Sequence, residues 1–572
     1  MPSATYFTHP NHDWQKRYEA LRALYVDRLP QAVVADRFGY KPGYVRVLKY
    51  QFLHGKIDFS EPVPEGKASR RGITSDIRAK IRTGRERNLS AGDISEWLSG
   101  DGVELSVRTI ERILAEEGFK KLPRRVHRKL GITVYGAKIP ETSSIIDLGD
   151  LDGKTFCSAA AGLFLFAPFL EQLDLAALIH DSDFPGSKVI PSTNYALSFL
   201  ALKLLGNERF AHVGDHSFDP GLGLFAGLNV LPKCTAMSTY SYSLDAKHLH
   251  KFQEAFVRKG EGLKLYDGRI INLDFHTAPH YGDESVLEKH WAGARGKVMK
   301  GALSLFAQDA ESKLLLYSEA DIKRSEADDE VLDFLSFWKR VHRGVNSTFV
   351  FDARLTTYEN LSKLNDQDVH FITLRRRGKK LLKDAEKLTD WKRIHIPHEK
   401  RKYPNPEVHE SHIRLRDYDG ELRQIILRGN GREEPAFIIS NDFDAASETI
   451  VGNYARRWRI ENGIAEAVKF FHLNSLSSPI LTKIHFDIVM TAVADTLYSM
   501  LAKKLRGFEE CNATKIFRHF IRAKGNISVK GNRIHVSFPR HAHNPILRSV
   551  PWNLLPDRHP GMNAAKLTFS FE

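Results

Sequence analysis

A short segment in the C-terminal half of the chain carries a tyrosine, an arginine and a glutamate at helical spacing. Residues 454–461 contain neither glycine nor proline and predict a helix, on which Tyr454, Arg457 and Glu461 share one face. A carboxylate there could bind a hard cation, and the guanidinium could grip a phosphate oxygen. An exposed basic helix with one acid has the same composition, so the interpretation depends on partners elsewhere in the chain.

Two further acids lie at the ends of predicted strands. Residues 269–275 predict a strand ending near Asp274, and residues 347–352 predict another that ends at Asp352. If these strands are neighbours, both carboxylates could bind one divalent cation, and Glu461 could complete the site. Three carboxylates without cysteine favour Mg²⁺ or Mn²⁺ over zinc. Two such ions, about 3.5–4 Å apart, would hold the attacking and leaving oxygens of an in-line phosphoryl transfer.

The elements around these acids predict a mixed sheet with helices on its faces. The order is three strands, a helix, a strand, a second helix and a last strand. Their predicted ranges are 269–275, 302–307, 313–317, 327–340, 347–352, 358–364 and 369–374. Residues 378–445 then predict a β-rich insertion, with a hairpin turn at Asp419 and Gly420, before helices return at 446–473 and 483–505.

Length and charge limit the possible classes of protein. A chain of 572 residues should hold several domains. Its net charge of +14 and pI of about 9.4 favour a polyanionic partner, most simply nucleic acid. Residues 1–130 hold 25 Lys and Arg against 16 Asp and Glu, which places +9 of the excess there. The three cysteines are too few for a disulfide framework or a zinc site, which indicates a reducing cytosol.

No membrane partner is expected. The N-terminus has no apolar signal region, and the longest uncharged run, residues 156–170, is too short to cross a bilayer. That run predicts a buried helix.

A helix-turn-helix unit for DNA binding is predicted in residues 1–60. Helices at 31–40 and 44–50 flank a turn at 41–43, and the second helix presents Arg46 and Lys49 outward. A generic helical hairpin is the alternative.

A second such unit with a basic arm is predicted in residues 70–135. Ser90 and Ser106 are expected to cap two helices, and Arg108 and Arg112 lie one turn apart on the second. The arm that follows carries six Lys and Arg between residues 120 and 129, which would contact the DNA backbone.

The predicted fold class is therefore multidomain α/β. Residues 140–262 predict a helical middle domain, residues 263–510 the mixed-sheet core with its insertion at 378–445, and residues 511–572 a C-terminal region with one hairpin. Residues alone assign no chemistry to the middle domain.

Several stretches resemble bacterial insertion-sequence transposases of the DDE type, which have a ribonuclease-H-like catalytic core with a β-strand insertion before the glutamate. These are LDFHT at 273–277, FDARLTTY at 351–358, HFITLRRR at 370–377 and YARRWRIE at 454–461, together with FAGLNVLPK at 225–233. The resemblance covers roughly residues 200–475. In such proteins a lysine follows the glutamate after six residues. Here position 468 is Val, and Lys469 is one residue late, about 100° of helix.

The resemblance implies a transposase that binds the ends of its element, cuts them by metal-dependent hydrolysis and transesterification through a hairpin intermediate, and joins them to target DNA. Asp274, Asp352 and Glu461 would be catalytic and would hold two Mg²⁺ ions, for which Mn²⁺ can substitute. A homodimer would hold both ends in the bacterial cytosol, at the nucleoid. The residues expected to bind double-stranded DNA are Tyr454, Arg457, Lys469, Arg375, Arg376, Arg46, Lys49, Arg108 and Arg112.

Two tryptophans have two possible roles. Trp291 and Trp458 could stack on a base extruded from the duplex, but packing in the core is the alternative that we expect for each.

Two rival interpretations remain. His276 and His280, with Asp274 and Asp283, could form a metallohydrolase site, although Pro279 opposes the helix that this spacing needs. The chain could also be a catalytically inactive, transposase-derived DNA-binding regulator. Retention of all three acids argues against that.

Overall fold

The computed structural model describes residues 10, 13–57, 73–87, 89–119, 142–216, 218–282, 287–320, 322–342, 347–396, 403–476, 478–562 and 565–572. The contacts within the chain divide it into two compact units, Met1–Ala137 and Lys138–Glu572. The basic arm predicted at 120–129 and the acid Asp283 lie outside the described residues.

The first unit begins with three helices around a small apolar core. They span Asp13–Tyr25, Gln31–Arg37 and Pro42–Leu53, and Val34, Val45 and Leu48 are fully buried between them. The turn predicted at 41–43 is wrong, because Pro42 begins the third helix, where its fixed φ and missing N–H are tolerated. The chain reverses just before, at Gly39, whose φ is +63°.

Three more helices in this unit have a core of their own. They span Ser75–Glu86, Ala91–Gly100 and Val107–Glu116, with Ile81, Ile94 and Ile110 buried between them. The two predicted caps are confirmed. The Ser90 hydroxyl accepts from the N–H of Asp93 at 3.2 Å, and Ser106 accepts from Thr109 at 3.3 Å.

The second unit opens with a mainly helical segment, as predicted. Its α-helices span Ala167–Gln172, Leu175–Asp181, Ser192–Leu204, Pro220–Phe225, Cys234–Tyr240 and Ala246–Gly262, and its 3-10 helices span Leu148–Leu151, Ala161–Phe166 and Phe210–His216. One strand, β1 (Thr155–Ser158), interrupts this segment, which the sequence did not indicate.

Within the described ranges, no single helix is long and apolar enough to cross a membrane. The stretches Ala161–Gln172 and Leu175–Asp181 reach that composition only as a pair, bent by 60°. Both contribute to the buried apolar core of the unit.

A ten-stranded sheet forms the centre of the described part of the second unit. Its strands are β2 (Ile270–Pro279), β3 (Lys289–Ala292), β4 (Lys297–Asp309), β5 (Leu315–Glu319), β6 (Thr348–Val350), β7 (His370–Leu374), β8 (Lys392–Arg393), β9 (Glu407–Ile413), β10 (Leu422–Arg428) and β11 (Ala436–Ser440). Their order is β3-β4-β2-β6-β7-β11-β10-β9-β8, and β5 pairs with β4.

The core of this sheet confirms the predicted order of strands and helices. β4 is antiparallel to both β2 and β5, whereas β2, β6 and β7 run parallel. The helices Glu330–Val341 and Tyr358–Asn365 make the connections into β6 and β7. In space the five strands therefore lie in the order β5-β4-β2-β6-β7.

The insertion extends this sheet. β11 pairs antiparallel with β7, and β10, β9 and β8 continue outward from it. The insertion also contains a helix, Lys379–Glu386. The predicted hairpin exists, but its first arm ends at Ile413, well before the predicted turn at Asp419 and Gly420, because a longer loop precedes β10. In this loop Asp417 and Gly420 adopt left-handed φ angles of +67° and +106°.

The C-terminal part contains helices and a second, smaller sheet. Its helices span Ser447–Arg456, Trp458–Phe470, Leu481–Ala502, Ala513–Ile516 and Asn544–Ser549, with short turns at Phe517–Ile521 and Trp552–Leu554. The strands β12 (Gly525–Lys530), β13 (Arg533–Phe538) and β14 (Lys566–Phe571) form the order β1-β12-β13-β14. The predicted hairpin is confirmed. One apolar core draws on the helical segment, the long helix Leu481–Ala502 and this sheet.

Candidate active site

Register places Asp274 and Asp352 on adjacent strands. The parallel pairing of β2 with β6 ends with Asn272 opposite Val350, and each aspartate lies two residues farther along its own strand direction. Because side chains alternate along a strand, both acids continue the same face. Asp274 does not end its strand as predicted. β2 runs on to Pro279, and Asp274 pairs with Phe306 of β4.

The local backbone orients each aspartate. The N–H of Phe275 donates to Asp274 Oδ1 at 3.0 Å. Beyond β6, the N–H of Arg354 donates to Asp352 Oδ1 at 3.2 Å and the N–H of Leu355 to its carbonyl at 3.0 Å, so Asp352 stands at the head of a tight turn.

A polar stripe follows the same face of β2. Asn272, Asp274 and His276 alternate with the buried Leu273. His276 Nε2 contacts Asn474 Oδ1 at 2.7 Å, and burial lowers the pKa of this imidazole. Both amide atoms of the fully buried Asn272 lack a hydrogen-bond partner within the part of the chain that the structure describes.

The helix that carries Glu461 packs against this stripe. Gly463 allows the close approach, because a Cβ there would lie 2.6 Å from the Gln308 side-chain nitrogen on β4. Arg459 donates to the carbonyl of Ala310 and forms an ion pair with Glu311 at 3.7 Å, which fastens the helix to the loop after β4. Glu461 is thereby held beside β2.

Arg457 lies between two of the three acids. Its Nη2 contacts Glu461 Oε1 at 2.6 Å, and its Nη1 lies 3.9 Å from Asp274 Oδ2. Its side chain is mostly buried. Tyr454 is half-buried beside it, with the guanidinium carbon 5.8 Å from the ring centroid. The structure therefore brings Tyr454, Arg457, Glu461 and Asp274 together.

The single helix predicted over 446–473 is instead two helices that meet at Arg457. The first ends at Arg456 and the second begins at Trp458, and around the junction the N–H of Arg457 bonds to the Tyr454 carbonyl three residues back. Tyr454 and Glu461 therefore lie on successive helices. Arg457 keeps right-handed helical φ and ψ of −53° and −36°, and both side chains lie beside it, as the predicted shared face requires.

Electrostatics couple the three acids. Burial raises the pKa of Asp274 to about 6, the Arg457 guanidinium opposes that shift, and the charges of Glu461 and Asp352 add to it. The pKa of Arg457 is raised, so its guanidinium stays charged. Burial lowers its pKa, but Tyr454, Glu461 and Asp274 together raise it above the ordinary value. The cluster therefore carries more negative charge than its single guanidinium neutralises, which suits a cation.

A family comparison covers the part of the chain that carries these residues. Residues 273–497 match the family model described as Transposase DDE domain. This part of the chain is a transposase DDE domain. The match begins one residue before Asp274, includes Asp352 and Glu461, and continues into the long helix Leu481–Ala502. No curated protein matches the chain. The family indicates a transposase, an enzyme of nuclease type whose partner is DNA.

The arginines after β7 have different surroundings in the DDE domain. Arg375 donates to Gln424 Oε1 at 2.7 Å and is half-buried within the sheet. Arg376 is exposed and donates through Nε to the carbonyl of Ala353 at 3.2 Å, so it lies next to Asp352. Arg377 forms an ion pair with Glu434 at 3.0 Å. Of the three, Arg376 is best placed beside the acids.

Lys469 lies apart from the acids. The helix Trp458–Phe470 is α-helical throughout, so no bulge shifts Lys469 toward the position that Val468 occupies. Val468 is half-buried against the apolar core, and Lys469 is exposed.

The basic residues predicted in the first unit are on the surface of their helices. Arg46, Arg108 and Arg112 are exposed, and Lys49 is half-buried, with its ammonium 5.8 Å from the Tyr25 ring centroid. Arg112 lies 3.6 Å from Glu116, so part of its charge is neutralised locally.

The prediction that Trp291 and Trp458 pack in the core is wrong. Trp291 and Trp458 are 61% and 52% exposed. Trp458 borders a groove beside the DDE site, and the sequence analysis missed most of that groove. Its basic and aromatic lining consists of Arg432, Arg456, Arg457, Arg459, Tyr454 and Trp458. Arg432 lies in the insertion, far from the other lining residues in sequence, so no local spacing could have revealed it.

The histidine-rich rival is not assembled. His276 uses Nε2 on Asn474, and the described residues contain one group of at least three His, Cys, Asp or Glu side chains with ligand atoms within 4.8 Å of one another. That group is His250, Glu319 and His485, so neither the described residues of this rival nor Asp274, Asp352 and Glu461 bring three ligand atoms within that distance of one another.

Proposed function

We propose that the protein is a DNA transposase that binds the ends of its insertion element, cuts them by metal-dependent phosphodiester hydrolysis and transesterification through a hairpin intermediate, and joins them to target DNA. The observation that carries this proposal is that Arg457 joins Asp274 and Glu461, while Asp352 follows the strand that pairs with β2, all within the DDE domain. The strand order β5-β4-β2-β6-β7 supports a ribonuclease-H-like core.

Asp274, Asp352 and Glu461 are the proposed ligands of two Mg²⁺ ions, with Mn²⁺ able to substitute. Carboxylate oxygens suit these hard cations, and the excess negative charge of the cluster and the unpartnered amide of Asn272 beside it fit a hydrated ion. When bound, the metal would activate the attacking oxygen and stabilise the leaving one. Burial holds the pKa of Asp274 at about 6, so it is mainly ionised at neutral pH.

Arg457 and Tyr454 are the proposed grip on a DNA phosphate. With metal neutralising the acids, Arg457 could turn from Glu461 toward a phosphate oxygen without leaving a buried charge unpaired. Arg376 beside Asp352 could contact the backbone, and Arg375 could contribute only by leaving Gln424. The exposed Trp458 is positioned to stack on an extruded base.

The first unit is proposed to recognise the element ends through helix-turn-helix contacts. Arg46, Lys49, Arg108 and Arg112 lie on helices with exposed basic faces. Each phosphate contact removed should lower the salt dependence of DNA affinity by about one counterion. Two ends must be held together, so a homodimer is the proposed synaptic form.

A nicking assay tests this function. The full chain would be incubated with duplex DNA from both flanks of its gene, which should carry short inverted repeats, in Mg²⁺ or Mn²⁺. We expect metal-dependent nicks at the repeat boundary, then hairpin-ended products on a denaturing gel.

Matched variants assign the site. Glu461→Gln should abolish nicking and leave DNA binding intact. Glu466→Gln, on the same helix but hydrogen-bonded to Asn512, should nick like the wild type. Equal nicking by Glu461→Gln or Asp274→Ala and the wild type would overturn the assignment. Binding without any cleavage by the wild type would instead favour the inactive DNA-binding regulator.

A further inference from the structure

A cluster of two histidines and a glutamate lies away from the DDE acids. His250 comes from the helix Ala246–Gly262, Glu319 ends β5, and His485 lies on the long helix Leu481–Ala502. Their ligand atoms all lie within 4.8 Å of one another. Three separate elements therefore deliver metal-binding atoms to one point.

His485 is held in an orientation that suits a ligand. Its Nε2 lies 2.8 Å from the Ser318 carbonyl, which can only accept, so Nε2 carries a proton. Its Nδ1 then faces Glu319 Oε1 at 3.4 Å. Histidines that bind metals usually donate their second nitrogen to a carbonyl or carboxylate in this manner. The ring is 2% exposed, so this orientation is fixed by packing.

Glu319 is oriented by its own backbone. The N–H of Ala320 donates to Glu319 Oε1 at 2.8 Å, and Gln253 donates to the neighbouring Ser318 carbonyl at 3.1 Å. The carboxylate is 11% exposed. A nearly buried carboxylate between two imidazoles is a costly arrangement unless a proton or a metal ion neutralises it.

His250 closes the cluster on the solvent side. Its Nε2 lies 2.6 Å from Glu319 Oε2, and the ring is 43% exposed. Ligand atoms around a tetrahedral ion with bonds of 2.0–2.1 Å stand about 3.3 Å apart. The distance from Glu319 Oε1 to His485 Nδ1, 3.4 Å, is already close to that spacing, and the half-exposed His250 ring would move away from Glu319 to reach it.

We propose that His250, Glu319 and His485 form a zinc-type transition-metal site, with water as the fourth ligand on the His250 side. Two imidazole nitrogens and one carboxylate are a donor set typical of Zn²⁺, and imidazole nitrogen discriminates against Mg²⁺. The site fastens the helices Ala246–Gly262 and Leu481–Ala502 to the edge strand β5.

The two sites are neighbours across the sheet. Glu319 pairs with Leu305 on β4, and Leu305 pairs with Phe275, the residue after Asp274. A metal that fixes β5 would therefore steady β4, the strand that pairs with β2. Because the zinc-type site shares no ligand with the DDE acids, loss of either can be measured without the other.

Metal content of the full chain tests the proposal. Protein stripped with a chelator would be titrated with Zn²⁺ in millimolar Mg²⁺, which occupies carboxylate sites, and then passed through a desalting column. We expect about one equivalent of retained zinc. Titration with Co²⁺ in place of zinc should give visible d–d absorption from nitrogen ligation. A wild-type chain that retains neither metal under these conditions overturns the proposal and leaves a hydrogen-bonded cluster only.

Variants distinguish the ligands from other histidines. His485→Gln and His250→Gln should each lose the retained zinc and the cobalt spectrum. His250 is half-exposed, so its variant should fold even if the buried His485 variant does not. His180→Gln, at an exposed helix position, and Asp274→Asn in the DDE site should keep both signals. Retention of zinc by His250→Gln at the wild-type level would overturn the assignment.

Discussion

The acidic site and the histidine site draw on β2 and β5, which lie on either side of β4 in one sheet, yet the two sites differ in donors and in what neutralises them. Asp274, Asp352 and Glu461 supply only oxygen, and a guanidinium stands between two of them. Glu319 stands between two imidazoles, those of His250 and His485, which offer nitrogen donors. One sheet can therefore present a hard-cation site and a nitrogen-rich site without shared ligands.

Exposure separates the two sites further. Glu461 and Arg376 face solvent beside an open basic groove, as exchange of a large polyanion requires. His485 and Glu319 are nearly buried and join three structural elements. The first arrangement suits the exchange of a substrate during turnover, and the second suits a metal ion that stays bound.

The largest expected effect is on cleavage. Asp274→Asn removes a proposed metal ligand, so nicking should fall by about 10³-fold or more, since metal stabilisation of the leaving oxygen is lost. Single-turnover nicking measures this. The same preparation should hold its zinc, and simultaneous loss of zinc would contradict the independence of the sites.

The same substitution should raise the stability of the metal-free chain at neutral pH. The folded pKa of Asp274, about 6, exceeds the ordinary value of 3.8, so its contribution to stability is present below pH 3.8 and lost as pH rises through 6. Two pKa units correspond to about 3 kcal/mol. Denaturant unfolding at pH 7 in a chelator should show Asp274→Asn more stable by up to that amount. A less stable variant would contradict this account.

A smaller effect is expected on the pH profile. Arg457 opposes the rise in the pKa of Asp274, so in Arg457→Met that pKa should rise further. Nicking requires the ionised carboxylate, so the pH at which nicking begins should be higher in the variant. Near pH 6 the variant should lose about tenfold more activity than it loses on its high-pH plateau. The rate measured from pH 5 to 9 checks this. An unchanged onset would mean that Arg457 does not control Asp274.

The smallest effect is expected at Lys469. Because Val468 occupies the position at which the resembling transposases have lysine, Lys469→Ala should change end binding and nicking by less than about threefold. Gel-shift titration and the nicking assay measure this. A loss comparable to that of Arg457→Met would show that Lys469 reaches the DNA after all.

The sequence predicts the parts of this molecule that depend on local pattern. Alternating apolar residues and capping serines are local signals, so the strands of the core, the helix Val107–Glu116 and its cap at Ser106 were predictable. The neighbouring positions of Asp274 and Asp352 follow from the usual pairing of parallel strands around a helix.

Long-range packing decided what the sequence could not reveal. Strand β1 pairs with β12, more than 350 residues away, and the insertion strands continue the core sheet through β11. Arg457 keeps helical φ and ψ at the break between two helices. Because the break needs no special backbone conformation, neither glycine nor proline marks it in the sequence. His250, Glu319 and His485 are also far apart in sequence, and nothing local links them.

Metal specificity tests the central claim, that Asp274, Asp352 and Glu461 bind the ions that cut DNA, most directly. Asp352→Cys and Asp352→Ala would be compared with the wild type for nicking of the gene's flanking DNA in Mg²⁺ and in Mn²⁺. A thiolate ligates Mn²⁺ better than Mg²⁺. We predict that both variants are inactive in Mg²⁺ and that only the cysteine variant regains nicking in Mn²⁺. Nicking by Asp352→Ala at the wild-type rate in Mg²⁺ would contradict the claim.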